Sequence, residues 1–273
     1  MSDSPNLTDR AALTRFRTRA GRHPGGPALF LHNAAAREIK ERLTEVNRRF
    51  TSPAVVTGFA DFWRQAMPEA RIVADDEVLA LTPGAHDLVV HAMALHWAND
   101  PVGQMIQCAR ALRPDGLFLA VLPGGRSLHE LRACLAEAEA RLTGGLSPRV
   151  LPMGEIRDLG GLLGRAGLAL PVADALTLTA SYRDLPHLFA DLRAMGEANA
   201  LHARRRHFSR RTLFVQASQH YVENYPADDG RINATYELIF LTGWTPHDSQ
   251  QKPLRPGSAL TRLADALGVK SPE

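Results

Sequence analysis

The chain has 273 residues, of which 45% are hydrophobic and 22% charged, and 32 Lys plus Arg against 29 Asp plus Glu leave a formal charge of only +3. That content supports one sizeable core with a smaller appended unit and excludes disorder as the ground state. The Arg clusters, Arg15 to Arg22 and Arg204 to Arg211, lack interleaved aromatics or a reading motif, so they read as solvated helix faces and no nucleic-acid partner is expected. No apolar run approaches the roughly 20 residues that span a bilayer, which limits membrane contact to the periphery. Two cysteines in separate helical patterns and a polar N-terminus without a secretory signal point to a reducing, cytoplasmic setting.

In chain order, residues 1–50 form a helical cap in which Ile39, Leu43, Val46 and Phe50 recur at helical spacing. A β-branched run at 54–59 ends on Gly58 and Phe59, followed by a short helix at 61–67 that Pro68 stops. Arg71 to Ala74 is a second strand, halted by Asp75, Asp76 and Glu77. Residues 87–95 are continuously apolar, as in a parallel strand covered on both faces. Asp100 as N-cap and Pro101 as first helical residue open a helix that runs to a turn at Pro114-Asp115-Gly116. The next buried strand, 117–122, completes a βαβ crossover. Ser127 with Glu130 three residues on reads as a capping box opening a helix with Leu128, Leu131, Leu135, Ala138 and Leu142 on one seam. Helices at 155–166, 185–199 and 209–225, a strand at 175–182 and a late antiparallel edge strand at 235–244 complete a domain spanning 51–245, with 246–273 as a tail.

With these segments in view, residues 75–244 resemble the mitochondrial complex I assembly factor 5 family, the arginine hydroxylases of methyltransferase fold, and their alphaproteobacterial relatives. The resemblance is carried by DDEVLAL, HDLVVHAMALHWANDP, ARALRPDGLFLAVLPGGRSLHELR, GGLSPRV, IRDLGGLLGRAGL, DLRAMGEANAL and TYELIFLTGW. The LHW is also similar, more distantly, to the malonyl-acyl-carrier-protein methyltransferases of biotin synthesis. The resemblance implies a class I S-adenosylmethionine methyltransferase fold, α/β and Rossmann-like, a three-layer sandwich around a mostly parallel sheet. It implies S-adenosylmethionine as cofactor and a respiratory complex I subunit as protein partner, approached through an arginine or held on a non-catalytic scaffold. The alternative is an active methyltransferase on a small acid or a protein.

The cofactor half departs from the family. The glycine loop after the first strand keeps only Gly58, and Phe59 puts a ring where a small residue belongs. About a dozen residues separate Gly58 from Arg71, too few for the second strand whose terminal carboxylate holds the ribose in this fold, so one strand-helix unit is missing. Cofactor binding is therefore expected to be weak or lost. The residues carried over to the cofactor side are Gly58, Asp75, Asp76, Leu95, His96 and Trp97. Asp75 and Asp76 read equally as a solvated turn or as an adenine contact, and His96 and Trp97 as packing residues or as contacts beside the sulfonium. The substrate cleft takes Arg126, His129, Arg132, Tyr182, Arg193, Glu197, Asn199 and Tyr236, with Glu197 suited to a cationic side chain. No metal-ligand spacing, catalytic base or nucleophile stands out.

Overall fold

The structure is a computed structural model that describes residues 6–227 and 229–251; the tail expected at 246–273 therefore falls largely outside the described residues. Helices α1 (Arg10–Gly21) and α2 (Phe30–Glu45) precede strand β1 (Pro53–Thr57), helix α3 (Ala60–Ala66), strand β2 (Arg71–Ala74) and strand β3 (His86–Ala92). A 3-10 turn, Leu95–Trp97, leads into α4 (Pro101–Ala111), β4 (Leu112–Pro123), α5 (His129–Thr143) and α6 (Ile156–Arg165). The chain continues through β5 (Ala169–Tyr182), α7 (Leu185–Ala194), α8 (Arg211–Asn224) and β6 (Ile232–Trp244).

The strands form one sheet in the order β2-β1-β3-β4-β6-β5. The first four are mutually parallel, and β6 runs antiparallel to both β4 and β5. Alternation along each strand builds two cores. Val55, Leu88, Val90, Leu119 and Val121 face one core, shared with α2, α5, α7 and α8, whereas Ala54, Val56, Val89, Phe118 and Ala120 face the other, shared with α4 and α6. Helices on both faces of a mostly parallel sheet are the class I S-adenosylmethionine methyltransferase architecture, as expected, and Val55, Val73, Val89 and Leu119 lie on neighbouring strands. Asp100 caps α4, its carboxylate accepting from the Gly103 amide at 2.8 Å.

Four local expectations need correction. Residues 235–244 are not an edge strand: β6 lies between β4 and β5, and β5 forms the edge. Its alternating polar residues mimic an edge because side chains such as Glu237 turn back to the loop after β4. Strand β4 begins at Leu112 and runs through the expected turn at Pro114-Asp115-Gly116, with a register shift against β3. Ser127 and Glu130 do not form a capping box, because Leu128 adopts a left-handed conformation (φ 53°) that places Ser127 outside the helix. Ser127 Oγ instead donates to the Glu237 carbonyl and accepts from its amide, both at 3.0 Å, while the Glu130 carboxylate accepts from the Thr235 amide and hydroxyl. Finally, α7 stops at Ala194 instead of 199. Gly196 reverses the chain there at φ +76°, where a Cβ would stand 3.2 Å from the Arg17 Cα, so the segment after α7 packs directly on α1.

The shortened cofactor half has a specific topology. β2 pairs directly with β1 through a crossover containing only the seven-residue α3. Asp75 therefore stands at the end of the strand adjoining β1, the position that the fold gives to the ribose-holding carboxylate, and not one strand further out.

Candidate functional site

The carboxyl ends of the strands carry two adjoining regions. In the first, Thr57 Oγ1 accepts from the Phe59 amide at 3.1 Å and turns the chain sharply at Gly58. Helix α1 lies across this turn, fixed by Asp9, whose carboxylate caps Ala12 at 2.9 Å and pairs with Arg204 at 2.8 Å. Arg10 and Arg17 are seven residues apart, two turns, and so share one face of α1. Arg17 Nη1 donates to both Asp75 carboxylate oxygens at 2.9 Å, and Arg10 Nη1 reaches Asp75 Oδ2 at 3.2 Å. Burial alone would push the Asp75 carboxyl up, but Arg17 and then Arg10 outweigh it and hold it below the ordinary range. A Cβ built on Gly58 would overlap the Arg17 guanidinium, which also sits 5.7 Å from the centre of the Phe59 ring. The space that a glycine loop keeps clear for the methionyl end of adenosylmethionine is thus filled by a side chain of the protein, and its nearest carboxylate is already paired. Two nitrogens of the Arg17 guanidinium, Nε and Nη2, are buried without a hydrogen-bond partner.

The other residues carried over to this half have local work. Asp76 is exposed, and its carbonyl accepts from Gln104 Nε2 at 2.9 Å. Gln104 Oε1 in turn meets His91 Nε2 at 2.7 Å in the buried interior. Leu95 belongs to the core on the α4 and α6 face. His32 accepts from Trp63 Nε1 at 3.1 Å, and its ring centre lies 4.6 Å from that of Phe59 at a tilt of 59°. Burial lowers both His32 and His91 to about 4, so both are neutral at pH 7.

His96 and Trp97 join the first region to the second. Trp97 Nε1 donates to Glu197 Oε2 at 2.6 Å, and His96 Nε2 lies 3.1 Å from the same oxygen. Burial pushes the Glu197 carboxyl up, but His96, Arg17 and the Trp97 hydrogen bond together hold it below the ordinary range, so it carries its charge. Glu197 opens onto a cavity of about 320 Å³ whose walls include Leu31, Leu131, Leu135, Leu192 and Met195. Arg193, Asn199 and Tyr236 line the same cavity. Asn199 is held by the Pro148 carbonyl and the Leu201 amide. Arg193 is exposed and pairs with no described residue. Tyr182 stands behind the wall, its hydroxyl donating to Asp191 at 2.8 Å and meeting the Tyr236 hydroxyl at 2.9 Å.

Arg126, His129 and Arg132 do not line the cavity. Arg126 is exposed, His129 Nδ1 lies 3.0 Å from the Arg126 carbonyl, and Arg132 reaches the carbonyls of Ser127 and Leu151. Arg149, which was not anticipated, lines the cavity and is locked by Glu139 at 2.6 Å and Ser209 at 3.0 Å. Arg10, Arg17 and His32 were also missed. The seven-residue spacing of Arg10 and Arg17 was the available signal, but Arg17 lies in a cluster that read as solvated. Among the described residues no group of three or more His, Cys, Asp or Glu is placed to hold a metal.

A methyltransferase-domain family model matches residues 34–120. The chain is 37% identical over 229 residues to the mitochondrial arginine-hydroxylase NDUFAF5 of Danio rerio, covering 83% of this chain and 71% of that protein. It is 38% identical over 199 residues to the human protein of the same name, 73% of this chain and 57% of that one. The chain therefore spans less than two thirds of the human protein's length. A malonyl-[acyl-carrier protein] O-methyltransferase of Laribacter hongkongensis is 31% identical over 192 residues, 70% of this chain and 62% of that protein. The mitochondrial designation of the NDUFAF5 relatives overturns the cytoplasmic placement expected from cysteine content and the polar N-terminus, neither of which separates cytosol from an organelle interior. The chain belongs to the NDUFAF5 arginine-hydroxylase family.

Proposed function

We propose that this chain is a protein-binding member of its family that receives a cationic side chain of a partner at Glu197 and does so without adenosylmethionine. The observation that carries the proposal is the Arg17 side chain between Gly58 and Asp75. A cofactor entering there must first break a buried, charge-assisted pair, at a cost on the order of 3–5 kcal/mol, which lowers affinity by roughly two to four orders of magnitude. The dissociation constant is then no better than about 1 mM, equivalent to about −4 kcal/mol.

The open half suits a different ligand. Apolar walls leading to an ionised carboxylate match the long aliphatic stem and charged tip of an arginine, and Glu197 has acceptor capacity beyond the Trp97 and His96 contacts. Family precedent supplies the partner, a respiratory complex I subunit, and the role is assembly rather than group transfer. In this reading residues 1–50 cap the 51–245 domain and hold its cofactor half shut.

The test is a deletion strain complemented with wild-type or Glu197→Gln protein, with complex I levels followed and the captured subunit analysed by mass spectrometry. The proposal expects loss of complex I in the deletion, poor rescue by the variant and an unmodified arginine. An arginine hydroxylated or methylated only when the protein is present would overturn the non-catalytic role. Unchanged complex I levels, with no subunit captured, would remove the partner.

A further inference from the structure

Helix α8 carries two apolar stripes, although a helix on the outside of a core needs one. Leu213, Ala217 and Tyr221 recur every four residues and are buried against the sheet. Beside that stripe and turned outward, Phe214, Ser218 and Val222 recur every four residues, with Val215 next to them. Phe214, Val215 and Val222 remain 38%, 49% and 52% exposed. With Phe208, they make four of the nine large exposed hydrophobic side chains among the described residues, all within fifteen positions. This stripe faces a groove whose other wall is Leu185, Pro186 and Phe189 of α7. A concentrated apolar surface of this kind is normally covered by something.

The charges on α8 indicate what covers it. The helix opens on Arg210 and Arg211, with no acid in its first turn and no side-chain cap. Neither arginine pairs with a described residue, and cations at a helix N-terminus oppose the helix dipole. At the far end, Glu223 is the only charged side chain in the last turn and has just a 4.0 Å approach from His220.

We propose that a second copy of this chain covers the face through an antiparallel α8 to α8 contact about a twofold axis. The register that sets Arg211 against Glu223 of the second copy centres on Ala217, so the small Ser218 lies nearest the axis on the exposed side and permits close approach. Phe214, Val215 and Val222 then flank it in both copies. The twofold axis makes each Arg211 to Glu223 pair twice and lays both N-terminal arginines beside the negative end of the opposing helix. An acidic peptide would satisfy Arg211 but leave Glu223 facing like charge. The contact borders the cleft, since Phe189, Arg193 and Phe214 line both.

Sedimentation equilibrium on the full chain, from low to high micromolar, tests this with four variants. The wild type is expected to dimerise. Val215→Glu abolishes the dimer. Arg211→Glu and Glu223→Arg each weaken association about tenfold or more, since each charge reversal acts twice in a symmetric dimer. The double variant R211E/E223R restores it. All three side chains are exposed, so circular dichroism and thermal melting should match wild type and exclude misfolding. A monomer throughout the range, a dimer insensitive to these changes, or a double variant that stays weak would each overturn the proposal.

Discussion

The two regions at the carboxyl ends of the strands differ in what their residues leave unmatched. At the ends of β1 and β2, Arg10 and Arg17 both engage Asp75, Arg17 Nε and Nη2 stay buried without a hydrogen-bond partner, and Phe59 and His32 fill the remainder, so this half is packed around an excess of positive charge. Beyond Trp97, the walls are largely apolar, Arg149 and Arg193 also line them, and the carboxylate of Glu197 is charged and borders open space. One sheet edge thus offers both a closed and an open region, and the difference lies in whether α1 or α7 contributes the neighbouring side chains.

The largest expected effect concerns the frame common to both regions. Leu238, Ile239, Phe240 and Leu241 of β6 are fully buried between two strands, so deleting residues 235–244 should abolish the fold. A truncated protein that stays soluble and melts cooperatively by circular dichroism would break the shared frame. Next, Arg17→Ala should cost about 3 kcal/mol in urea unfolding, because it strips a buried carboxylate of its main partner. Arg193→Ala in the open half should cost less than about 0.5 kcal/mol, because that side chain is exposed and unpaired. Equal costs would erase the contrast.

The closed half should also impose a pH dependence. His32 and His91 have folded pKa values lowered to about 4 from 6.5, so between those values the unfolded chain binds more protons than the folded one. Stability is therefore complete above pH 6.5 and falls as pH drops toward 4, by about 2 kcal/mol per histidine between pH 7 and pH 5. His32→Gln, which keeps an acceptor for Trp63, should remove about half of that dependence, and an unchanged slope in urea titrations would contradict the assignment. Tyr236→Phe, which deletes one hydroxyl contact while Tyr182 keeps Asp191, should lose about 1 kcal/mol in the same assay.

What the sequence made legible was whatever depends on neighbours in the chain. The apolar runs of β3 and β4, the Asp100-Pro101 start of α4 and the glycine stop after α6 are local, and they sufficed to place the sheet. The misread features all depend on distant partners. Glu130 satisfies Thr235, 105 residues away, although its spacing from Ser127 imitates a cap. Residues 235–244 look like an edge strand until β5 is known to pair outside them. Arg17 lies in a run that resembles solvated surface, and only the fold brings it to Asp75, 58 positions on. Arg193, Glu197, Asn199 and Tyr236 line the cavity, whereas Arg126, His129 and Arg132, which the family segments also contain, lie outside it because the left-handed Leu128 and the start of α5 turn them to other partners.

Isothermal titration calorimetry of adenosylmethionine into ligand-free protein tests the central claim most directly. The closed half predicts no saturable heat below about 1 mM for the wild type. Micromolar binding by the wild type would show that α1 yields its place at Gly58 and Asp75 to the cofactor, and would contradict the account.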